Sequence, residues 1–380
     1  MNILHIYKDY HPVLGGIENH VRLLAEAQVA QGHSVTVLVT SRGTRTEEGV
    51  LNGVRVVKAA RLATVASTPL SLALPWQLMR QRPDVVHLHF PYPVGEVSQW
   101  LLRRGRATVL TYHADIVRQA AILRFYRPLL QQVLRFVHAI IIASPPMRDS
   151  AYLAPHRAKL RLIPYGIPLE RFQSAPAESD LARARRRYLR DLPPPFLLFV
   201  GRLRYYKGLD TLIRALPSVA ASLLVAGSGP MAEAWQALAR FVGVAERIAW
   251  LGDVPDADLP TLYHLADLFV LPASHASEAF GLVQVEAMAA GLPVICTELG
   301  TGTSYVNVSG ETGLVVPPRD PAALAAAINA LLADPERRAR MGQAGRRRAR
   351  QEFGLPRMVD RVLALYEEVL PPPSTASEHL

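Results

Sequence analysis

The chain predicts an α/β fold of two doubly wound, Rossmann-like units, and three observations lead there. It has 380 residues, 50% of them apolar, which is enough for two units that each bury a core. Strand-length and helix-length apolar segments alternate along it with glycine-marked turns between them, the pattern of parallel βα units. No repeat of solenoid length is apparent. The first unit is expected over 1–165 and the second over 196–353, with a polar, proline-rich linker over 166–195 that ends in Pro193-Pro194-Pro195. Pro356 opens a last apolar-periodic helix, about 356–370, and 371–380 lacks any pattern and is expected to be disordered.

Taken in order, Ile3 to Tyr7 is an apolar run of strand length, followed by Gly15-Gly16-Ile17-Glu18 and an amphipathic stretch from Val21 to Ala30. Paired glycines after a first strand permit close backbone approach to a ligand, although ordinary turns use the same pair. Leu62 to Met79 carries no charge, yet Pro69, Pro75 and several Ser and Thr residues make it a poor spanning helix. It reads as a loop and helix beneath a membrane or as part of the core. Ala107 to Tyr112 is a strand that His113 closes, on the carboxyl edge where parallel sheets place ligands. A lone histidine at such an edge is otherwise read as structural.

In the second half, Phe196-Leu197-Leu198-Phe199-Val200 runs into Gly201-Arg202-Leu203-Arg204-Tyr205-Tyr206-Lys207-Gly208 and then a helical pattern. A strand, a glycine, cations and a helix are what a phosphate-gripping turn requires. Arg202 offers a planar fork and Lys207 a point charge, so the two can share one diphosphate. Further on, Glu278 and Glu286 stand eight positions apart around Phe280-Gly281-Leu282. Eight helical steps turn through about 800°, roughly 80° from two full turns, so the spacing fits Glu278 in a loop and Glu286 in a helix. The amides of Phe280, Gly281 and Leu282 then lie at a helix start, which favours an anion. A diphosphate seat with a carboxylate on either side suits a sugar nucleotide, whose hydroxyls donate to carboxylates.

Together, Glu278 with Phe280-Gly281 and Glu286, Arg202 with Lys207, and Gly15-Gly16-Ile17-Glu18 resemble the retaining glycosyltransferases of family 4. That family has the GT-B fold, two Rossmann-like domains facing a central cleft, and the likeness spans nearly the whole chain. Thr111-Tyr112-His113-Ala114-Asp115-Ile116-Val117-Arg118-Gln119, with Gly300-Thr301-Gly302-Thr303-Ser304-Tyr305-Val306-Asn307, looks like the bacterial mannosyltransferases of O-antigen and exopolysaccharide assembly. In many family members the later loop carries glycines followed by a glutamate. Here its amides and hydroxyls are expected to suit an oxygen-rich ligand instead.

The resemblance implies that Glu278 holds the donor sugar hydroxyls while Phe280, Gly281 and Leu282 supply amides and Glu286 accepts from the ribose. It implies that Arg202 and Lys207 bind the leaving diphosphate, that Gly15 and Gly16 approach the same phosphates, and that His113 contacts the transferred sugar. Val254 and Asp256 fall where related mannosyltransferases meet the base, so Asp256 either pairs with a guanine edge or caps the helix that begins near it. The last helix is expected to cross back to the first domain. The implied reaction is retaining transfer of a hexose, mannose from GDP-mannose ahead of glucose or N-acetylglucosamine from a UDP-sugar, in bacterial polysaccharide or glycolipid assembly. Domain closure is expected to bring Gly16 and His113 onto the donor, with a leaving phosphate oxygen taking the acceptor proton. If Glu278 and Lys207 serve only the donor, alanine at either abolishes transfer and leaves the thermal melt nearly unchanged. A non-catalytic carbohydrate- or membrane-binding protein is the alternative from another class.

Residues 1–170 hold 20 Lys+Arg against 10 Asp+Glu, and residues 171–380 hold 22 of each, so the formal charge of +10 lies in the first unit. Arg103, Arg104 and Arg106 follow Trp100-Leu101-Leu102, and Arg118, Arg124, Arg127 and Arg135 alternate with apolar residues. With Tyr112 and Asp115 they outline an expected face for a glycan or polyprenyl-diphosphate-linked acceptor or an anionic membrane surface. Arginine outnumbers lysine 38 to 4, and a compositional bias gives the same surplus. Arg185-Arg186-Arg187 and Arg346-Arg347-Arg348 read as solvated helix faces, and no nucleic-acid module accompanies them. Asp256-Ala257-Asp258 imitates a metal pair but stands at a helix start, so no cofactor and no metal are expected. Lys8 and Asp9 interrupt any signal-peptide layout, and a single Cys296 permits no internal disulfide. The expected location is the cytoplasm, peripheral on the inner face of the plasma membrane.

Overall fold

The computed structural model describes residues 1–13, 15–65, 68–115, 120–189 and 192–372, so Arg118, the side chain of Arg124 and most of the expected tail lie outside the described residues. The chain divides into two compact units, Met1–Gly166 with Leu355–Leu380, and Ile167–Gly354.

The first unit is built on ten strands: β1 (Asn2–Ile6), β2 (Ser34–Thr40), β3 (Glu47–Leu51), β4 (Val54–Ala59), β5 (Ala63–Val65), β6 (Thr68–Leu70), β7 (Val85–Phe90), β8 (Ala107–Tyr112), β9 (Ala139–Ile142) and β10 (Leu160–Leu162). Eight of them form one sheet in the order β10-β9-β8-β7-β1-β2-β4-β3, parallel except for β3 against β4. β7, β8 and β9 are buried along their whole length, as parallel strands covered on both faces must be. Helix Gly16–Ala30 and the returning helix Leu355–Val369 pack together in this unit, and Tyr366 reaches the sheet through His87. The uncharged segment from Leu62 is split between two environments. Leu74 and Leu78 of helix Ala73–Met79 enter the core, while Leu72, Trp76 and Met79 are exposed. Among the described residues no helix is long and apolar enough to cross a membrane.

The second unit carries β11 (Phe196–Val200), β12 (Ser222–Ala226), β13 (Ile248–Gly252), β14 (Leu268–Leu271), β15 (Val294–Thr297) and β16 (Gly313–Val316). Their order, β13-β12-β11-β14-β15-β16, is the doubly wound one, with every neighbouring pair parallel. Helices Pro321–Leu332 and Pro335–Glu352 each start on an aspartate that accepts from the backbone, Asp320 from Ala323 and Asp334 from Arg337, with proline in the first turn.

Of the linker expected over 166–195, residues 167–189 fold as part of the second unit. Glu170–Gln173 and Glu178–Ala184 are helices of the second unit. Phe172 is fully buried, its ring edge-on to Tyr263 at 5.6 Å, and the Tyr188 hydroxyl donates to Asp258. The proline, serine and charge content that suggested a spacer conceals these aromatic anchors.

Candidate active site

In the second sheet, β11 lies beside β14, and the chain winds away from this pair in opposite directions. Such a switch point opens a crevice at the strands' carboxyl ends. The turn after β11 carries Gly201 to Lys207, and the loop after β14 carries Glu278. Two contacts lock them together. The Ser274 amide donates to the Tyr206 carbonyl at 2.8 Å. Gly208 adopts φ +64°, and a β-carbon there would stand 2.0 Å from the Pro272 carbonyl oxygen, so only glycine allows this approach.

The result is an ion pair between Lys207 Nζ and Glu278 Oε2 at 2.6 Å, with side chains 11% and 9% exposed. Oε2 takes no well-aligned hydrogen bond, so the contact is charge pairing rather than a saturated network. Burying two charges is costly, and a buried pair is weak evidence of stabilisation. A charged ligand that uses both groups supplies a reason for it. Arg202, on the same turn, is exposed and makes no salt bridge among the described residues.

Glu278 is in the loop and Glu286 in helix Leu282–Ala290, as the eight-residue spacing requires. Gly281 caps that helix at φ +77° without a side-chain bond, which leaves the helix end to backbone amides, beside the buried ring of Phe280. Glu286 is partly buried and accepts from the Tyr263 hydroxyl at 2.8 Å. Burial raises its carboxyl above the usual range, and the Tyr263 bond opposes that rise. Val254 is partly buried and Asp256 exposed. Asp256 does not cap the helix that follows; Asp258 precedes Leu259–Leu265, and its carboxylate is held by Tyr188 and Arg187. Asp256 lines a cavity of about 380 Å³ with Arg171, Ser174 and Thr261.

The loop from Gly300 was expected to suit an oxygen-rich ligand with its amides and hydroxyls, and three of those hydroxyls donate within the chain. Thr301 Oγ1 donates to the Glu278 carbonyl at 2.8 Å, Thr303 Oγ1 to Thr297 at 3.2 Å, and Ser304 Oγ to Glu298 at 2.9 Å. Through Thr301 the loop braces the Glu278 segment.

In the first unit the matching switch point lies between β1 and β7, and Gly15-Gly16 follows β1. A β-carbon at Gly15 would meet only the flexible Glu18 carboxylate, and one at Gly16 would meet no atom within 4 Å. Among the described residues no contact requires glycine at 16. His113 directly follows β8 and is 3% exposed. Its Nδ1 pairs with the Tyr165 hydroxyl at 2.6 Å and its Nε2 with His89 Nδ1 at 3.2 Å. Burial lowers its pKa well below the ordinary value, so the ring is neutral. A ring with both nitrogens engaged meets a sugar only by exchanging a partner.

The expected acceptor and membrane face is not assembled as drawn. Tyr112 is 1% exposed, stacked on Phe90 at 4.4 Å, and its hydroxyl donates to Asp115 at 2.6 Å. The strand's final residue points into the core rather than outward. Arg104 is half-buried and donates twice to the Gln81 carbonyl, at 2.8 and 3.3 Å, which makes it a brace between segments. Arg103 is exposed in the left-handed region at φ +48°, its guanidinium 5.8 Å from the centre of the Phe136 ring.

Of the buried histidines that sequence reading did not single out, His5, His20, His87 and His89 cluster with His113. The signal was present in His87-Leu88-His89, since two residues one apart in a strand share a face. His5 lies directly opposite His87 in the β1–β7 register.

Residues 182–348 match the family Glycosyl transferases group 1, and residues 14–171 match Glycosyltransferase Family 4. The chain is 38% identical to the D-rhamnosyltransferase WbpZ of Pseudomonas aeruginosa across 93% of its own length and 92% of that protein's. It is 32% identical to O-antigen chain mannosyltransferase C of Escherichia coli, across 97% and 99%. Its backbone matches sucrose-phosphate synthase from Thermosynechococcus elongatus with a TM-score of 0.77 at 26% identity, covering 97% and 98% of the two chains. With this fold, this crevice and these relatives, the chain belongs to glycosyltransferase family 4 and is a glycosyltransferase of the GT-B fold.

Proposed function

We propose that the protein is a retaining hexosyltransferase that moves mannose from GDP-mannose onto a lipid-linked or glycan acceptor in bacterial polysaccharide or glycolipid assembly. The observation that carries this reading is the buried Lys207–Glu278 pair at the switch point of the second sheet, next to a helix end capped by Gly281. Lys207 and Arg202 neutralise the departing diphosphate, whose charge grows as the glycosidic bond lengthens, and the helix amides complete the seat. Glu278 accepts from the hydroxyls of the donor sugar. Because two cations already face the diphosphate, transfer is expected without a divalent ion.

Glu286 accepts from the ribose, and Asp256, beside its cavity, takes the two adjacent N–H donors of guanine. The relatives support the choice of sugar. D-Rhamnose is 6-deoxy-D-mannose, so a rhamnosyltransferase and a mannosyltransferase differ by one hydroxyl on a shared ring configuration. The exposed Leu72, Trp76 and Met79, with Leu101 and Arg103 of the neighbouring segment, are the proposed contact with an anionic membrane that carries the acceptor.

The test is product analysis with GDP-mannose, GDP-D-rhamnose and UDP-glucose on a polyprenyl-diphosphate-linked saccharide, with the anomeric configuration read by NMR. An α-mannoside formed in the presence of EDTA is expected. A β-product, or a preference for UDP-glucose, would overturn the retaining or the mannosyl part respectively.

A further inference from the structure

The geometry points to a transition-metal site in the first unit, in which His20, His89 and His113 hold a Zn²⁺-class ion through imidazole nitrogens. The three side chains come from helix Gly16–Ala30, from β7 and from the residue after β8, and their ligand atoms lie within 4.8 Å of one another. All three are buried. This site is separate from the donor diphosphate, for which no metal is invoked.

The state of each ring suits coordination. His89 Nδ1 and His113 Nε2 face each other at 3.2 Å. Two nitrogens on a tetrahedral zinc, each about 2.0–2.1 Å from the ion, stand about 3.3 Å apart. An ion between them therefore replaces the shared proton without moving either ring far. The outer nitrogens are already oriented: His113 Nδ1 pairs with Tyr165, and His89 Nε2 pairs with His5 Nδ1 at 3.0 Å, whose own Nε2 meets Gln28 at 2.7 Å. Metal-bound histidines characteristically carry such a partner on the second nitrogen.

His20 supplies the independent observation. Both of its ring nitrogens are buried without a hydrogen-bond partner, while its ring lies 5.2 Å from His113 and 5.8 Å from His89. An unsatisfied buried polar group of this kind calls for a bound water or ion. The second trio, His5, His87 and His89, lacks this feature, since His5 and His87 have both nitrogens engaged. Burial also keeps the three ligands neutral, which leaves their lone pairs available to a metal. Three imidazoles select the zinc, copper and nickel class and leave a fourth position for water.

The experiment strips the full-length protein with a chelator and titrates it with Co²⁺, the coloured stand-in for Zn²⁺. One equivalent per chain, with the visible absorption of a tetrahedral nitrogen site, displaced by Zn²⁺ and lost in His20→Leu, is expected. His275→Ala, a histidine change in the second unit, is expected to keep it. Absence of stoichiometric binding by the wild type, or a spectrum unchanged in His20→Leu, would overturn the assignment. Should His20→Leu fail to fold, X-ray absorption of the wild-type cobalt protein decides: an imidazole shell of three supports the site, and an oxygen-only shell overturns it.

Discussion

In the proposed function, Lys207 and Glu278 are where residue chemistry bears most directly on turnover. Lys207→Ala is expected to lower kcat by at least about 10²-fold, the scale of losing one group that stabilises a developing charge. Burial changes the second half of the sequence expectation. Removing one member leaves an uncompensated buried charge, worth about 3–5 kcal/mol, so the melt of either alanine variant falls as well. The double variant Lys207→Met with Glu278→Gln is expected to recover the melt while remaining inactive. Recovery of turnover would contradict the assignment. The placement of the two glutamates was legible because it follows from local spacing: a loop position, a helix position and a glycine between. The five-histidine cluster was not, because it joins three strand ends and a helix face that only the fold brings together. The burial of the ion pair was equally hidden, since it depends on Gly208 admitting the Pro272 carbonyl.

Elements position these groups, and two of them can be tested by single changes. Gly208→Ala forces a left-handed conformation on a β-carbon aimed at a backbone oxygen, so a loss of at least about 1–2 kcal/mol is expected, with donor affinity falling alongside. A calorimetric titration of GDP into the variant reads both effects. In helix Pro93–Leu102, Glu96 is buried between the Tyr92 amide and the Tyr126 hydroxyl, and burial pushes its carboxyl up to about 7. The folded chain thus holds a proton that the unfolded chain releases above about 4.5, so this group's contribution fades as pH rises through the window from about 4.5 to 7. Glu96→Gln is expected to gain on the wild type in melting temperature across that window, and a constant offset would count against it. The strand-to-helix turns were readable because glycine and cations punctuate them. The helices of residues 170–184 were masked by a composition typical of spacers, and Phe172 alone carried the contrary signal.

Across the whole molecule, the parallel, doubly wound class followed from alternating apolar segments, whereas the strand order and its switch points did not, because sheet order is set by long-range pairing. The five clustered histidines, all buried, are expected to make the first unit sensitive to acid. Burial lowers His5 to about 4 and His20 to about 3, and drives His87, His89 and His113 well down. The unfolded chain therefore binds protons below about 6.5 that the folded chain refuses, and each histidine removes about 1.4 kcal/mol of stability per pH unit below that point. Chemical denaturation at stepped pH is expected to show this fall, and a flat profile would show the rings charged. In the proposed function the second unit binds a guanosine diphosphate sugar through Lys207 and Glu278. The most direct test of this binding is calorimetric titration of GDP-mannose, GDP, UDP-glucose and UDP in EDTA, on the wild type and on the double variant. Guanosine-selective binding that survives EDTA and is lost in the double variant is expected. Equal or tighter binding of uridine ligands, or binding untouched by the two substitutions, would contradict it.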